Sequence, residues 1–222
     1  MAKKASLVVL ISGDGSNLQA IIDAVNRKQL DAEITAVISN QVSAKGLDRA
    51  CKENITTHVI DHKAYTSRES FDQAMIQVID EASPNLVILA GFMRILSQAF
   101  IKHYQHRLIN IHPSLLPKYK GLNTHQQAID NQDKIHGASV HYVGAELDSG
   151  PVVIQVEIPV FSSDTAQTLA SRVLVEEHKI YPLAIEMHLN NRIQFKNNQI
   201  QLDKQPLNKP LLWKEEKLIT DK

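Results

Sequence analysis

A single cysteine, Cys51, leaves no partner for an internal disulfide and no basis for a cysteine-based zinc cluster. Neither sign of charge is in excess. Twenty-four Lys and Arg stand against 24 Asp and Glu, and that balance gives no sign of a nucleic-acid partner. No apolar run approaches the roughly 20 residues needed to cross a bilayer. The opening M-A-K-K-A-S-L-V-V-L-I-S runs from charge into a strand pattern with no small-residue cleavage site, so a cytoplasmic protein with no membrane partner is expected. No G-x-S-x-G elbow is present for nucleophilic hydrolysis. Cys51 lies in a helical stretch and reads as a packing residue. Metal chemistry has little support: His58 and His62, His103 and His106, and His136 and His141 are scattered pairs without H-E-x-x-H or a matching carboxylate cluster. They read as surface or packing residues, and no metal is expected.

The chain has 222 residues, 43% apolar and 22% charged, in the ordinary range of globular proteins. It is long enough for one large domain. Short runs rich in Val and Ile alternate with longer amphipathic stretches, which is the pattern of a parallel sheet covered by helices. Strands are expected at Leu7 to Ile11, Ile34 to Ile38, Thr57 to Ile60, Leu86 to Ala90 and Leu108 to Ile111. Helices are expected at Leu18 to Val25, Ala44 to Glu53 and Phe71 to Ala82, the last with Thr66 and Glu69 as a capping box. This order is that of a doubly wound, mostly parallel α/β sheet. After Gly121 come a helix at Thr124 to Asn131 and strand-like stretches at Ser139 to Val143 and Val152 to Val160, an antiparallel C-terminal extension. A long helix capped by Asp164 and Gln167 should run to about Asn190, with Pro182 kinking or interrupting it. One domain over 1–195 is expected. Residues 196–222 are expected to be a C-terminal tail and not an independent domain; from Asp203 onward no clear period appears, which reads as a loosely attached tail or a short extra strand.

Directly after the first strand, S-G-D-G-S-N-L (Ser12 to Leu18) opens a helix, and a glycine-rich turn at a helix N-terminus is an anion site. A dinucleotide loop would place a third glycine at position 18 and an acidic residue at the end of the second strand. Leu18 and Ser39-Asn40 stand there instead, and no G-K-[ST] follows the glycines. The same turn also serves as a plain strand-to-helix link. Where it holds phosphate, Asp14 must turn outward, leaving backbone amides, Ser16 and Asn17 to face the anion.

The most telling group is Asn110, His112 and Asp148. Asn110 and His112 lie two apart, so on a strand they share one face, and Pro113 ends that strand. Asp148, in L-D-S-G-P (Leu147 to Pro151), supplies a carboxylate able to orient the imidazole and favour its charged form. A histidine at a strand end is often only a structural hydrogen-bonder. With Asn110 beside it, the set suits electrostatic and acid/base help to an attack whose nucleophile comes with the substrate.

These residues lie in V-L-I-S-G-D-G-S-N-L-Q-A-I-I (Val9 to Ile22), L-A-G-F-M-R-I-L-S (Leu89 to Ser97), N-I-H-P-S-L-L-P-K-Y-K-G (Asn110 to Gly121), H-G-A-S-V-H (His136 to His141), L-D-S-G-P and E-H-K-I-Y-P (Glu177 to Pro182). In them the chain resembles the phosphoribosylglycinamide formyltransferase family, folate-dependent transferases of purine synthesis, over roughly residues 5 to 195. The resemblance implies a Rossmann-like formyltransferase fold and transfer of the formyl group of 10-formyltetrahydrofolate, as co-substrate, to the amine of glycinamide ribonucleotide. It implies that Gly13, Asp14, Gly15, Ser16, Asn17 and Glu177 bind the ribonucleotide. It also implies that Arg68, Met93, Arg94, Ile95 and Leu96 contact the formyl folate, with Asn110 touching it near the formyl group. Asn110, His112 and Asp148 are then the catalytic residues. The partners implied are small molecules, on a monomer or homodimer.

Several positions depart from the family pattern. Asp14 stands where a neutral residue is usual, Lys120 and Asn123 replace the Pro and His of P-G-L-H-T-H, and Leu174 lies one turn before Glu177 where a polar residue is common. The N-x-H-P-S-L-L-P run with a later D-x-G is shared by methionyl-tRNA formyltransferases and formyltetrahydrofolate hydrolases, which are the alternatives within the chemistry. A non-catalytic nucleotide-binding module is the alternative from another class.

Overall fold

The computed structural model describes residues 4–196 and 199–220. The chain divides into two compact units, Met1–Ile109 and Asn110–Lys222.

In the first unit β1 (Ala5–Ile11), α1 (Ser16–Asn26), β2 (Ala32–Ser39), α2 (Lys45–Lys52), β3 (Thr57–Val59), α3 (Arg68–Glu81), β4 (Leu86–Leu89) and α4 (Gln98–His103) follow in order. β5 (Leu108–His112) straddles the division. The strands run β4-β1-β2-β3, and β1 pairs parallel with both β2 and β4, as β2 does with β3. Leu7 to Ile11 are wholly buried, which is why β1 reads as an unbroken apolar run and not as an alternating one. From β1 the chain first winds toward β3 and then returns to β4 on the other side. The strand order therefore reverses beside β1, and the loops leaving β1 and β4 open at that switch point, where α/β sheets bind ligands.

In the second unit α5 (Thr124–Asp130), β6 (Ile135–Tyr142), β7 (Val152–Pro159), α6 (Ala166–Leu189), β8 (Ile193–Lys196), β9 (Gln199–Leu202), β10 (Gln205–Pro206), β11 (Leu211–Lys214) and β12 (Lys217–Ile219) follow. β6 and β7 are antiparallel, β11 lies parallel to β7, and β12 turns back on β11. β8, β9 and β10 make a separate small antiparallel sheet. The backbones of β6 and β7 come so close at Gly137 that a Cβ there would sit 1.8 Å from the Val156 carbonyl oxygen.

The α/β class and the antiparallel strands toward the C-terminus match expectation. Four local expectations need correction. Of the two effects expected of Pro182, interruption is ruled out: α6 is one continuous helix through it, with Ile180, Tyr181, Ala184 and Ile185 buried on either side. The caps shift by one residue at α3 and α6: Ser67 pairs with Ser70, and Thr165 with Thr168, as reciprocal hydroxyl caps. Asp164 instead accepts from the Phe161 amide at 2.8 Å and pairs with Arg172. Cys51 is exposed on α2, not packed. α4, only six residues long, is too short to show a helical period in the sequence. The stretch read as a loosely attached tail or a short extra strand carries four strands, β9 to β12, and Trp213 on β11 donates its indole N–H to Glu176 of α6 at 3.2 Å.

Candidate active site

In the first unit, Gly15 is the residue before α1 and has φ +74°, a left-handed conformation that favours glycine. α1 has no side-chain cap hydrogen bond and no acidic residue in its first turn, and its N-terminus carries the partial positive charge of the helix dipole. Ser16 is half-buried and Asn17 buried beneath the turn. Gly13 and Asp14 are exposed. The Asp14 carboxylate is paired with Arg49 at 2.9 Å, and the same guanidinium donates to the Asp14 carbonyl at 2.8 Å. The awkward charge is thus turned to a cation from α2. α2 itself abuts the loop: the Gly46 amide donates to the Gly13 carbonyl at 3.1 Å, and a Cβ on Gly15 would lie 2.6 Å from the Gly46 Cα. Glycine is required at both faces of that contact.

The loop leaving β4 is joined to the glycine loop. The Ser12 amide donates to the Gly91 carbonyl at 3.1 Å, and the Met93 amide donates to the Ser12 hydroxyl at 2.7 Å. Met93, Arg94 and Ile95 are exposed, while Leu96 is buried. Arg68 opens α3 and is exposed.

In the second unit the structure brings Asn110, His112 and Asp148 together. His112 is buried, and its Nδ1 lies 3.4 Å from Asp148 Oδ2. Its Nε2 faces the Tyr119 carbonyl oxygen at 2.8 Å. Both partners are acceptors, so each ring nitrogen is placed to donate. Asp148 has φ +46° and its Oδ2 also accepts the Gly121 amide at 3.0 Å. The loop carrying it is fixed at Gly150, where a Cβ would meet the Tyr142 carbonyl oxygen at 1.7 Å. The segment after His112 is held as well: Ser139 donates to the Ser114 carbonyl and accepts the Leu116 amide, while Thr124 donates to the Pro113 carbonyl.

One residue of this cluster escaped the sequence reading. His141, read as surface or packing, is buried beside the trio, with Nε2 at 3.2 Å from Asn110 Nδ2. Burial holds its pKa well below the ordinary value, so the ring is neutral. Its Nδ1 faces the Tyr142 carbonyl at 2.9 Å and must donate there, which leaves Nε2 as an acceptor for the Asn110 amide. That fixes which end of Asn110 is N–H. The available signal was position: His141 is on β6, the strand neighbouring β5.

Glu177 is buried on α6. His125 and His136 touch at 3.1 Å, and burial pushes His136 down to about 4. Among the described residues no group of three or more His, Cys, Asp or Glu is placed to hold a metal ion, and no helix is long and apolar enough to cross a membrane.

The profile described as Formyl transferase matches residues 5–185. The chain is 51% identical to the phosphoribosylglycinamide formyltransferase of Escherichia coli (strain K12) over 202 residues, covering 91% of this chain and 95% of that one. It is 45% identical to the trifunctional purine biosynthetic protein adenosine-3 of Homo sapiens over 196 residues, 88% of this chain and 19% of that longer protein. Among solved structures, the phosphoribosylglycinamide formyltransferase of Coxiella burnetii superimposes with a TM-score of 0.89 at 49% identity, covering 92% of this chain and 96% of that one. Glycinamide ribonucleotide transformylase 1 of Symbiobacterium toebii gives 0.87 at 37% identity, covering 90% and 94%.

Proposed function

From the premise that this chain belongs to the formyl transferase family, we propose a residue-level account of its reaction, the transfer of a formyl group from 10-formyltetrahydrofolate to glycinamide ribonucleotide. The chain is a formyltransferase of purine biosynthesis. Formyl folate is the co-substrate general to such enzymes.

The amine of the ribonucleotide attacks the formyl carbon. A carbon–nitrogen bond forms there, the bond to the folate nitrogen breaks, and the proton lost by the amine goes to that leaving nitrogen. What the chain supplies is stabilisation of the oxygen that becomes negative during the attack. His112 Nε2 is the first donor: its N–H is directed to the Tyr119 carbonyl oxygen at 2.8 Å, and the oxyanion takes that carbonyl's place as acceptor. Asn110, its amide oriented by neutral His141, is the second. Asp148, 3.4 Å from Nδ1, holds the imidazole and balances its positive charge.

The remaining site residues are assigned to recognition of the two substrates. Gly13, Asp14, Gly15, Ser16 and Asn17 hold the phosphoribosyl end of the ribonucleotide through the backbone amides of the loop and the first turn of α1, and Glu177 helps to bind the ribonucleotide. Arg68 suits the anionic glutamate end of the folate, while exposed Met93 and Ile95 offer apolar surface to its flat ring. No step here calls on a metal.

The observation that carries this account is the contact set of His112, an imidazole with acceptors on both nitrogens beside a carboxamide. The test is to mix purified protein with glycinamide ribonucleotide and 10-formyltetrahydrofolate and follow release of the deformylated folate. Release that depends on the ribonucleotide is expected. Release without it would identify a hydrolase, and none at all would leave a binding module.

A further inference from the structure

Residues 93–96 are tied down at both ends by buried polar side chains of their own unit. At one end the Met93 amide donates to Ser12 Oγ at 2.7 Å, and that hydroxyl donates on to Asn40 Oδ1 at 2.6 Å. At the other the Ser97 amide donates to Asp72 Oδ2 at 2.5 Å, and Ser97 Oγ accepts the Phe100 amide to open α4. Ser12, Asn40, Asp72 and Ser97 are 8%, 1%, 2% and 7% exposed, so these bonds lie away from water, where losing one partner is costly. Between the two anchors the Met93 and Ile95 side chains are 64% and 53% exposed. A lone exposed apolar residue is ordinary, but two on a strap with a clamped backbone form a preset surface.

Asp72 is the less expected anchor. Its Oδ1 has no hydrogen-bond partner among the described residues, and burial raises its carboxyl above the usual range. A buried carboxyl satisfied on one oxygen costs stability that an apolar side chain of similar size would not. Its gain lies in what it holds. It follows Arg68 by one turn of α3, so both project from the same face.

We propose that Asp72 and Ser12 are positioning residues for the formyl folate: they set the strap 93–96 in its binding conformation in advance and act on recognition, not on the chemical step. This rests on the assignment of residues 93–96 to the folate.

The test is a full set of saturation curves for each purified full-length variant beside the wild type. Asp72→Leu leaves the Ser97 amide without its acceptor, so KM for 10-formyltetrahydrofolate should rise roughly tenfold to a hundredfold, the worth of one hydrogen bond to a charged acceptor. KM for the ribonucleotide and kcat should stay within about threefold, since the second substrate and the transition-state contacts are untouched. Asp72→Asn keeps an oxygen for the Ser97 amide and should restore the wild-type folate KM. Loss of folding alone would lower apparent kcat and move neither KM. If Asp72→Leu does not fold, Ser12→Ala takes its place and should likewise raise the folate KM more than the ribonucleotide KM. An unchanged folate KM in whichever of these two folds, or no rescue by Asn, overturns the inference while an active wild type leaves the function standing. A wild type without transfer overturns both.

Discussion

Asp148→Asn separates charge from geometry at the centre of the proposed mechanism. The carboxylate lies 3.4 Å from His112 Nδ1, and the two side chains are 7% and 10% exposed. At that distance a full charge pair is worth about 5 kcal/mol for an effective dielectric near 20. Asparagine can keep an oxygen at the Oδ2 position, where it still accepts the Gly121 amide and faces Nδ1. It also tolerates the left-handed φ of +46° at this site, so backbone strain does not confuse the result. What disappears is the negative charge, offset in part because a neutral amide is cheaper to bury than a carboxylate. A net loss of roughly 3 to 4 kcal/mol in the transition state is expected, or a fall in kcat of about 10² to 10³. KM for the ribonucleotide should change little. The assay is steady-state release of deformylated folate at saturating substrates, with circular dichroism to show that the variant is folded. A folded Asp148→Asn with kcat within about fivefold of wild type would remove the carboxylate charge from the mechanism.

His112→Ala should abolish measurable transfer, a loss of at least 10³ in kcat, yet leave ribonucleotide binding by calorimetry within a fewfold of wild type; retained turnover would favour a binding module. Gly150→Ala puts a Cβ at 1.7 Å from the Tyr142 carbonyl, so thermal unfolding should show a cost of about 3 kcal/mol or more, and an unchanged Tm would mean that the loop can shift. His188, hydrogen-bonded to the Tyr142 hydroxyl, and His136 are both pushed by burial from 6.5 to about 4. Below pH 6.5 the unfolded chain takes up protons that these folded imidazoles refuse, so stability present at neutral pH is lost as pH falls toward 4. Urea unfolding at pH 7 and pH 5 should differ by on the order of 1 kcal/mol per imidazole, and His188→Gln should shrink the difference.

What could be read from the residues follows the physics of each element. Leu7 to Ile11 of β1 and Leu86 to Leu89 of β4 are runs of buried aliphatics, and the positions of these strands follow from that alone. Asn110 and His112 were legible because a strand puts alternate residues on one face. His141 was not, because its role depends on the pairing partner of β5 and on a ring nitrogen fixed by the Tyr142 carbonyl. The cap positions were misplaced by one residue because adjacent candidates, Thr66 and Ser67 before α3 and Asp164 and Thr165 before α6, compete for one helix start, and the reciprocal hydroxyl pairs Ser67–Ser70 and Thr165–Thr168 won. β11 and β12 have mixed polar sequences whose strand form depends on β7 beside them, which no local period announces. Asp72 and Ser12 gave no signal at all: each looks ordinary on its own element, and only the Met93 and Ser97 amides they hold make them notable.

The contact between Gly15 and Gly46 sets a rule for anyone moving this loop elsewhere. Since the backbone of α2 occupies the space in which a Gly15 side chain would stand, Ser12 to Asn17 is not a portable module. A graft into another α/β scaffold must carry the first turn of α2 with it, together with Arg49 to neutralise Asp14. A recipient that offers only a strand and a helix would receive the glycines without the wall that shapes them.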